Sequence, residues 1–440
     1  MLTASVEFNP EDSARAMQQL PARQRGVFAL YGADPSAEPY VVATTDLRRR
    51  LERLMKPAAT QTRRLQLVSR IRRIDWQPTG SEFESLAVQF RLTEEIYGAR
   101  ALERMHLRMP AFVRFHGSNR FPRITVTTRV NQREADWAFG PFPSRAAAER
   151  YAEEMLKLFL LRRCEENLAP DPAHPGCVYS EMKMCLAPCY QGCTDARYAE
   201  EASAVRSFLE TRGASRLKIL GQERDDASES LDFERAAALH TQFQRVESVR
   251  TLASELVHPL SRLRVCLLMP SARADEVSVF LFAEGALRGP EPFSTLGMRI
   301  QNEHSGSSSL FAQPVAVEAV PEQAGVATVP RDLLQQRLEA ALAALSGQTT
   351  EQAEQARQAG QTGQPGQSSQ AGQASSTRRQ GDLALLARWY YRPQQKRLGE
   401  IFFAEALADG TLQWPAKAML RGVGRVAAAE LESRTGTAGE

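Results

Sequence analysis

The chain has 440 residues, 43% of them hydrophobic and 24% charged, with a net charge of +3 and six cysteines. That length exceeds one ordinary core and predicts about two to four units, and no apolar run approaches the ~20 residues of a membrane span. The opening MLTASVEFNPEDSARAMQQL has neither the basic stretch nor the apolar core of an export signal, so a cytoplasmic protein is expected. The small net charge hides an asymmetry. From Val41 to Ala135 nineteen arginines and lysines face nine acids. Solvated helix faces would account for such a surplus, but a basic half joined to a near-neutral one is also what a nucleic-acid-binding module requires.

In chain order, GVFALYGADPSAEPYVVAT from Gly26 reads as a β-hairpin, two β-rich runs around the turn residues Gly32–Pro39. TDLRRRLERLM follows as a helix, with Thr45 as N-cap and Leu47, Leu51 and Leu54 at helical spacing. A second helix, SEFESLAVQFRLTEEIYGARALERM, opens on a Ser81–Glu84 capping box. Phe121–Val130 reads as a strand, FGPFPS as a turn, and SRAAAERYAEEMLKLFLL as a helix running into Cys164. Asp195 to Arg250 is strongly helical, whereas Arg262 to Ile300 alternates like strands. Gln348 to Asp382 is rich in Gln, Gly and Ser without apolar periodicity and reads as a linker, ahead of a short tail.

Five cysteines crowd between Cys164 and Cys193, spaced Cys164-x12-Cys177-x7-Cys185-x3-Cys189, with Cys193 another x3 on. In a reducing compartment clustered cysteines point to metal rather than disulfides. Structural zinc sites favour two close C-x2–4-C pairs. Four thiolates at irregular spacing suit an iron–sulfur cubane better. Zinc remains the alternative, and Cys193 could replace one ligand. Cys266, inside a strand, reads as a buried small hydrophobe.

FGPFPS followed by LFLLRRC and KMCLAPC resembles the central cysteine region of the UvrC family, the nuclease subunit of bacterial nucleotide-excision repair, with matching stretches from Gly26 to about Arg250. The resemblance implies a 4Fe–4S cluster on Cys164, Cys177, Cys185 and Cys189. Ser215–Arg250 resembles the UVR motif, a helical hairpin that docks on UvrB. On that likeness Leu231, Phe233, Glu234, Arg235, Ala236 and Ala237 are the UvrB-binding residues, with Leu231, Phe233, Ala236, Ala237, Phe243 and Val246 on one stripe.

The N-terminal segment resembles a GIY-YIG nuclease domain whose site has eroded. Such sites use one carboxylate on a divalent metal, tyrosines and a lysine for the water, and an arginine for the phosphate. Tyr40 and Arg50 are retained, while Phe28 stands for a tyrosine, Ala43 for the lysine and Gln89 for the metal-binding glutamate. A register slip would leave Glu82 or Glu84 as substitutes. After Ile300 no likeness to the RNase-H-like half of the family is found. His304 is the one histidine there, and the chain reads as a truncated relative.

The expected architecture is an α/β GIY-YIG-like domain (22–108), a β segment with the four-cysteine region (109–195), a helical UVR region (196–253), a small α/β region (260–345), a disordered linker (346–382) and a tail (383–440). The expected function is excision repair: binding DNA, with Arg48, Arg49 and Arg50 on phosphates, and binding UvrB, with little or no nuclease activity. The alternative is an active endonuclease using Mg2+ or Mn2+ for one incision near the lesion.

Overall fold

The computed structural model describes residues 2–34, 36–55, 65–166, 168–298, 329–362, 365–406 and 412–436. Its contacts divide the chain into two units. One comprises Met1–His106, Arg264–Leu385 and Arg392–Glu440, the other Leu107–Leu263 and Leu386–Tyr391.

The first unit begins with an antiparallel sheet of Ala4–Glu7 (β1), Gly26–Gly32 (β2), Tyr40–Thr44 (β3) and Ile71–Pro78 (β4), in the order β1-β4-β2-β3. Helices Ser13–Gln18 (α1), Leu47–Met55 (α2), Leu65–Arg70 (α3), Glu82–Tyr97 (α4) and Ala101–Arg104 (α5) accompany it. The predicted hairpin is β2–β3, pairing Phe28 with Val42 and Leu30 with Tyr40. Side chains alternate across a strand. Phe28, Leu30, Ile74 and Trp76 therefore share one face, which buries Leu47, Leu51 and Met55 of α2 and Met17 of α1. Val27 and Ala29 point the other way and are also fully buried, and α4 packs across β2 and β3. The cap of α2 is not Thr45 but Asp46, whose carboxylate accepts the Arg49 N–H (3.0 Å). At α4 the Ser81 hydroxyl accepts the Glu84 N–H (3.1 Å) as predicted, but the Glu84 carboxylate turns to the Gly80 N–H (3.0 Å).

The second unit holds a sheet of Ala111–Phe115 (β5), Ile124–Thr127 (β6), Ala138–Phe142 (β7) and His258–Pro259 (β8), ordered β6-β5-β7-β8. Its helices are Arg145–Leu156 (α6), Val178–Glu181 (α7), Asp195–Glu210 (α8), Ala214–Glu229 (α9) and Phe233–Arg250 (α10). Val113, Phe139 and Phe142 of the sheet meet Tyr151 and Met155 of α6, Tyr198 and Phe208 of α8 and Val246 of α10 in one core.

The chain then returns to the first unit. Val265–Pro270 (β9), Glu276–Ala283 (β10), Ala286–Ser294 (β11) and Glu400–Phe403 (β12) form an antiparallel sheet ordered β11-β10-β9-β12. Arg331–Thr362 (α11), Pro365–Tyr390 (α12) and Ala416–Gly436 (α13) complete it. Leu334, Leu338, Leu342 and Leu345 recur on one side of α11 and pack with Met419 and Val423 of α13 on Val277, Val279 and Leu281. Cys266 is fully buried in β9, the small hydrophobe its strand predicted.

Three expectations of organisation differ from this. The Gln/Gly/Ser-rich stretch expected as a linker over 346–382 has helical backbone in the described parts of α11 and α12. The tail is not separate, since β12 pairs with β9. The N-terminal sheet and the C-terminal sheet share one unit, joined through α4. Arg91 donates to the carbonyls of Gly289 (2.6 Å) and Leu287 (3.2 Å), Arg392 makes two bonds to Glu82 (2.8 and 2.6 Å), and Phe83 meets Phe280 edge-on. Gly381 of α12 lies so close to α4 that a Cβ there would fall 1.9 Å from the Phe90 ring. The physical reason is α4 itself. It buries Phe83, Ala87, Val88, Phe90 and Leu92, which do not fit a single face, so it needs partners on more than one side.

Candidate functional site

The segment after α6 brings the cysteines together. Cys164, Cys177, Cys185 and Cys189 line a single pocket with Arg162, Arg163, Leu168, Tyr179 and Pro188. Cys177 precedes α7, its backbone locked to the Ser180 hydroxyl, which accepts from the Cys177 N–H (3.0 Å) and donates to the Cys177 carbonyl (2.6 Å). Lys183, Ala187 and Gln191 adopt left-handed φ of 55°, 54° and 59° without being glycine. Each such residue costs on the order of 1 kcal/mol, strain of a kind that persists where surrounding structure enforces it. The turn they make aims the Ala187 N–H at the Cys185 sulfur (3.3 Å) and lets the Cys189 carbonyl accept the Asp171 N–H (2.9 Å).

Burial pushes the Cys185 thiol up to about 11. The Ala187 N–H opposes this, while nearby Cys164, Cys177 and Cys189 add to it. Burial likewise raises Cys189 and Cys193. The four thiols are thus electrostatic neighbours in one pocket. Among the described residues, however, no three His, Cys, Asp or Glu side chains are drawn together as the ligands of a metal ion would be. The pocket lining brings the four cysteines to one place. Cys193 lines a separate, neighbouring cavity with Arg120, Phe121 and Asp195.

The nuclease remnant does not come together on one face. Phe28 is buried and lies 6.4 Å, ring to ring, from Tyr40, which is 44% exposed. Ala43 pairs with Val27, so it points to the face opposite Phe28. Gln89 extends its amide towards the Val41 carbonyl (3.5 Å). Neither substitute carboxylate is at hand. Glu82 is engaged by Arg392, and Glu84 is buried on Gly80. Arg48 donates to the carbonyls of Leu20 (2.9 Å) and Gln18 (3.1 Å), which makes it a brace for the end of α1 rather than a free phosphate ligand. Arg49 and Arg53 are exposed one turn apart on α2, and Arg50 is half-buried. His304 lies outside the described residues.

The predicted stripe of the helical pair divides in two. Leu231 has a left-handed φ of 59° in the turn between α9 and α10, so helical spacing cannot be counted through it. Leu231 is 72% and Phe233 66% exposed, with Glu234, Arg235 and Ala237 also exposed. Ala236, Phe243 and Val246 instead pack inward. Asp232 caps α10 by accepting the Arg235 N–H (3.1 Å).

Residues 111–208 match the UvrC/Cho excinuclease middle domain, a span that encloses all four pocket cysteines. Over that span the chain is similar to the UvrC family. Similar curated proteins are each called UvrABC system protein C. That of Aliivibrio fischeri is 28% identical over 243 residues, 55% of this chain and 39% of its own length. That of Edwardsiella ictaluri is 31% identical over 230 residues, 51% of this chain and 37% of its own, and that of Haemophilus influenzae is 31% identical over 231 residues. The chain spans about two-fifths of the length of the relatives it matches. No solved structure matches it. Among its described residues no helix is long and apolar enough to cross a membrane.

Two structural features escaped sequence reasoning. Arg162, beside the cysteines, is one of two adjacent arginines in RRC, and nothing local marks it as the buried one. The division of the hairpin face depended on the turn conformation at Leu231.

Proposed function

We propose that this chain is a DNA-binding, UvrB-binding component of nucleotide-excision repair with little or no nuclease activity of its own. The observation that carries the reading is the pairing of a matched UvrC/Cho middle domain with four cysteines converging inside it. The donor set suits a thiolate-ligated iron–sulfur cluster. Its pocket brings together four cysteines, an amide N–H on Cys185 and a buried guanidinium on Cys164. When bound, such a cluster would tie Cys164, Cys177, Cys185 and Cys189 into one rigid knot.

Around that knot the chain's own residues have separate tasks. Arg49 and Arg53 on α2, with Arg50 beside them, offer a sequence-independent phosphate contact. The exposed tip of the helical pair, Leu231 and Phe233 flanked by Glu234 and Arg235, offers UvrB an apolar anchor with a polar rim. The eroded site supports silence in cleavage. Gln89 is an amide and Glu82 and Glu84 are otherwise engaged, so none of these three positions offers a free carboxylate to a hard divalent cation.

The test is incubation with damaged duplex, UvrA, UvrB and Mg2+ or Mn2+. The expected result is a retained protein–DNA complex without a nick from this chain. A nick that vanishes in Tyr40→Phe or Gln89→Ala would overturn the reading in favour of an active endonuclease.

A further inference from the structure

Arg162 is 2% exposed, among the largest fully buried side chains described. Its Nε donates to the Phe121 carbonyl (2.9 Å), and its Nη1 reaches the carbonyls of Cys164 (3.2 Å) and Glu166 (2.8 Å) and the Cys164 sulfur (3.5 Å). The backbone is fixed as well. The Arg162 N–H donates to the Tyr198 hydroxyl (3.1 Å), which itself donates to the Pro122 carbonyl (2.8 Å). Among the described residues no carboxylate forms an ion pair with this guanidinium.

A buried cation without a counter-charge is strongly unfavourable. Three carbonyls solvate the guanidinium with dipoles but supply no net charge. Of the atoms it touches, the one able to carry a full negative charge is the Cys164 sulfur, as a metal-bound thiolate. The geometry points to Arg162 as the positioning residue of the cysteine site: it fixes Cys164 for ligation and supplies the buried positive charge that balances the anionic sulfurs. The inference rests on the cluster reading above and adds to it a residue that touches no metal. Arginine suits the role because its rigid fork of donors serves Phe121, Glu166 and the ligand at once, which a lysine ammonium cannot reproduce.

The test compares wild type, Arg162→Lys and Arg162→Met, purified anaerobically as full chains. Iron and sulfide are quantified, and iron release to a chelator is timed. The Met variant is expected to release iron roughly 10- to 100-fold faster, the range typical of lost partners to metal ligands. The Lys variant, keeping the charge without the fork, should fall between. Resonance Raman bands of the iron–cysteine bonds should shift upwards in Arg162→Lys as the N–H contact to sulfur is lost. If the Met variant does not fold, the release rate and bands of Arg162→Lys decide alone. Loaded wild type with a Lys variant unchanged in both readouts would overturn the inference while leaving the cluster standing. Wild type without iron or another bound metal would remove the cluster reading and this inference with it.

Discussion

Glu84 opens α4 as a carboxylate enclosed by protein, 5% exposed, accepting the Gly80 N–H. Burial is the largest influence on it and pushes its pKa up from 4.5 to about 7. The Gly80 N–H and the Ser278 side chain pull the other way, and Glu430 adds to the rise. Between those two values the unfolded chain is ionised at this position while the folded chain keeps its proton. The folded state then binds more protons, so its stability is fully present below the lower value and falls as pH rises through the upper one. One group changes stability by ~1.4 kcal/mol per pH unit in such a window. Across the interval from 4.5 to about 7 the loss is on the order of 3 kcal/mol. Glu84→Gln leaves an amide oxygen for the Gly80 N–H and removes the titration. Urea unfolding of both proteins from about pH 5 to pH 8 should show the variant gaining on wild type with pH, reaching ~2–3 kcal/mol at the alkaline end. Asp382 is also buried and raised to about 6, but it is present in both proteins and cancels in the difference. Parallel stability curves for the two proteins would refute the reasoning.

Gly381→Ala sets a helix-propensity gain of about 1 kcal/mol against a Cβ 1.9 Å from the Phe90 ring. Overpacking of ~1–3 kcal/mol should win, lowering the urea midpoint, with part of the loss recovered in a Gly381→Ala, Phe90→Leu double variant. Leu231→Asp and Phe233→Asp, altering residues 72% and 66% exposed, should leave thermal unfolding unchanged yet weaken UvrB capture by about tenfold or more, as loss of an interface anchor does. Arg49→Ala should weaken binding to any duplex and reduce the salt slope by about 1. Arg48→Ala, which frees the Leu20 and Gln18 carbonyls, should instead lower stability by roughly 1–2 kcal/mol.

What could be read from the chain was what is settled locally. The β2–β3 hairpin followed from two β-rich runs around turn residues, and Ser81 was legible as a cap because capping acts over three residues. The cysteine spacing placed four ligand-type residues in a stretch short enough to fold back on itself, and they do line one pocket. Long-range partnership was not legible. The capping box marked α4 as a helix but not its partners, and the burial of Phe83, Val88 and Phe90 requires cover from the C-terminal sheet and α12. The polar composition before Asp382 hid a helix because Ala and Gln favour helical backbone even without an apolar stripe. The hairpin face was misread because one left-handed residue, Leu231, resets the helical count. Arg48 and Arg49 are indistinguishable in sequence, and only the fold shows that one braces α1 while the other faces solvent.

The most direct test of the cysteine site is iron X-ray absorption on anaerobically purified wild type beside Cys164→Ser. The account predicts sulfur-ligated iron with iron–iron scattering and about four irons and four sulfides per chain, all sharply reduced in the variant. Colourless wild type holding a single zinc, or metal content unaffected by Cys164→Ser, would contradict it.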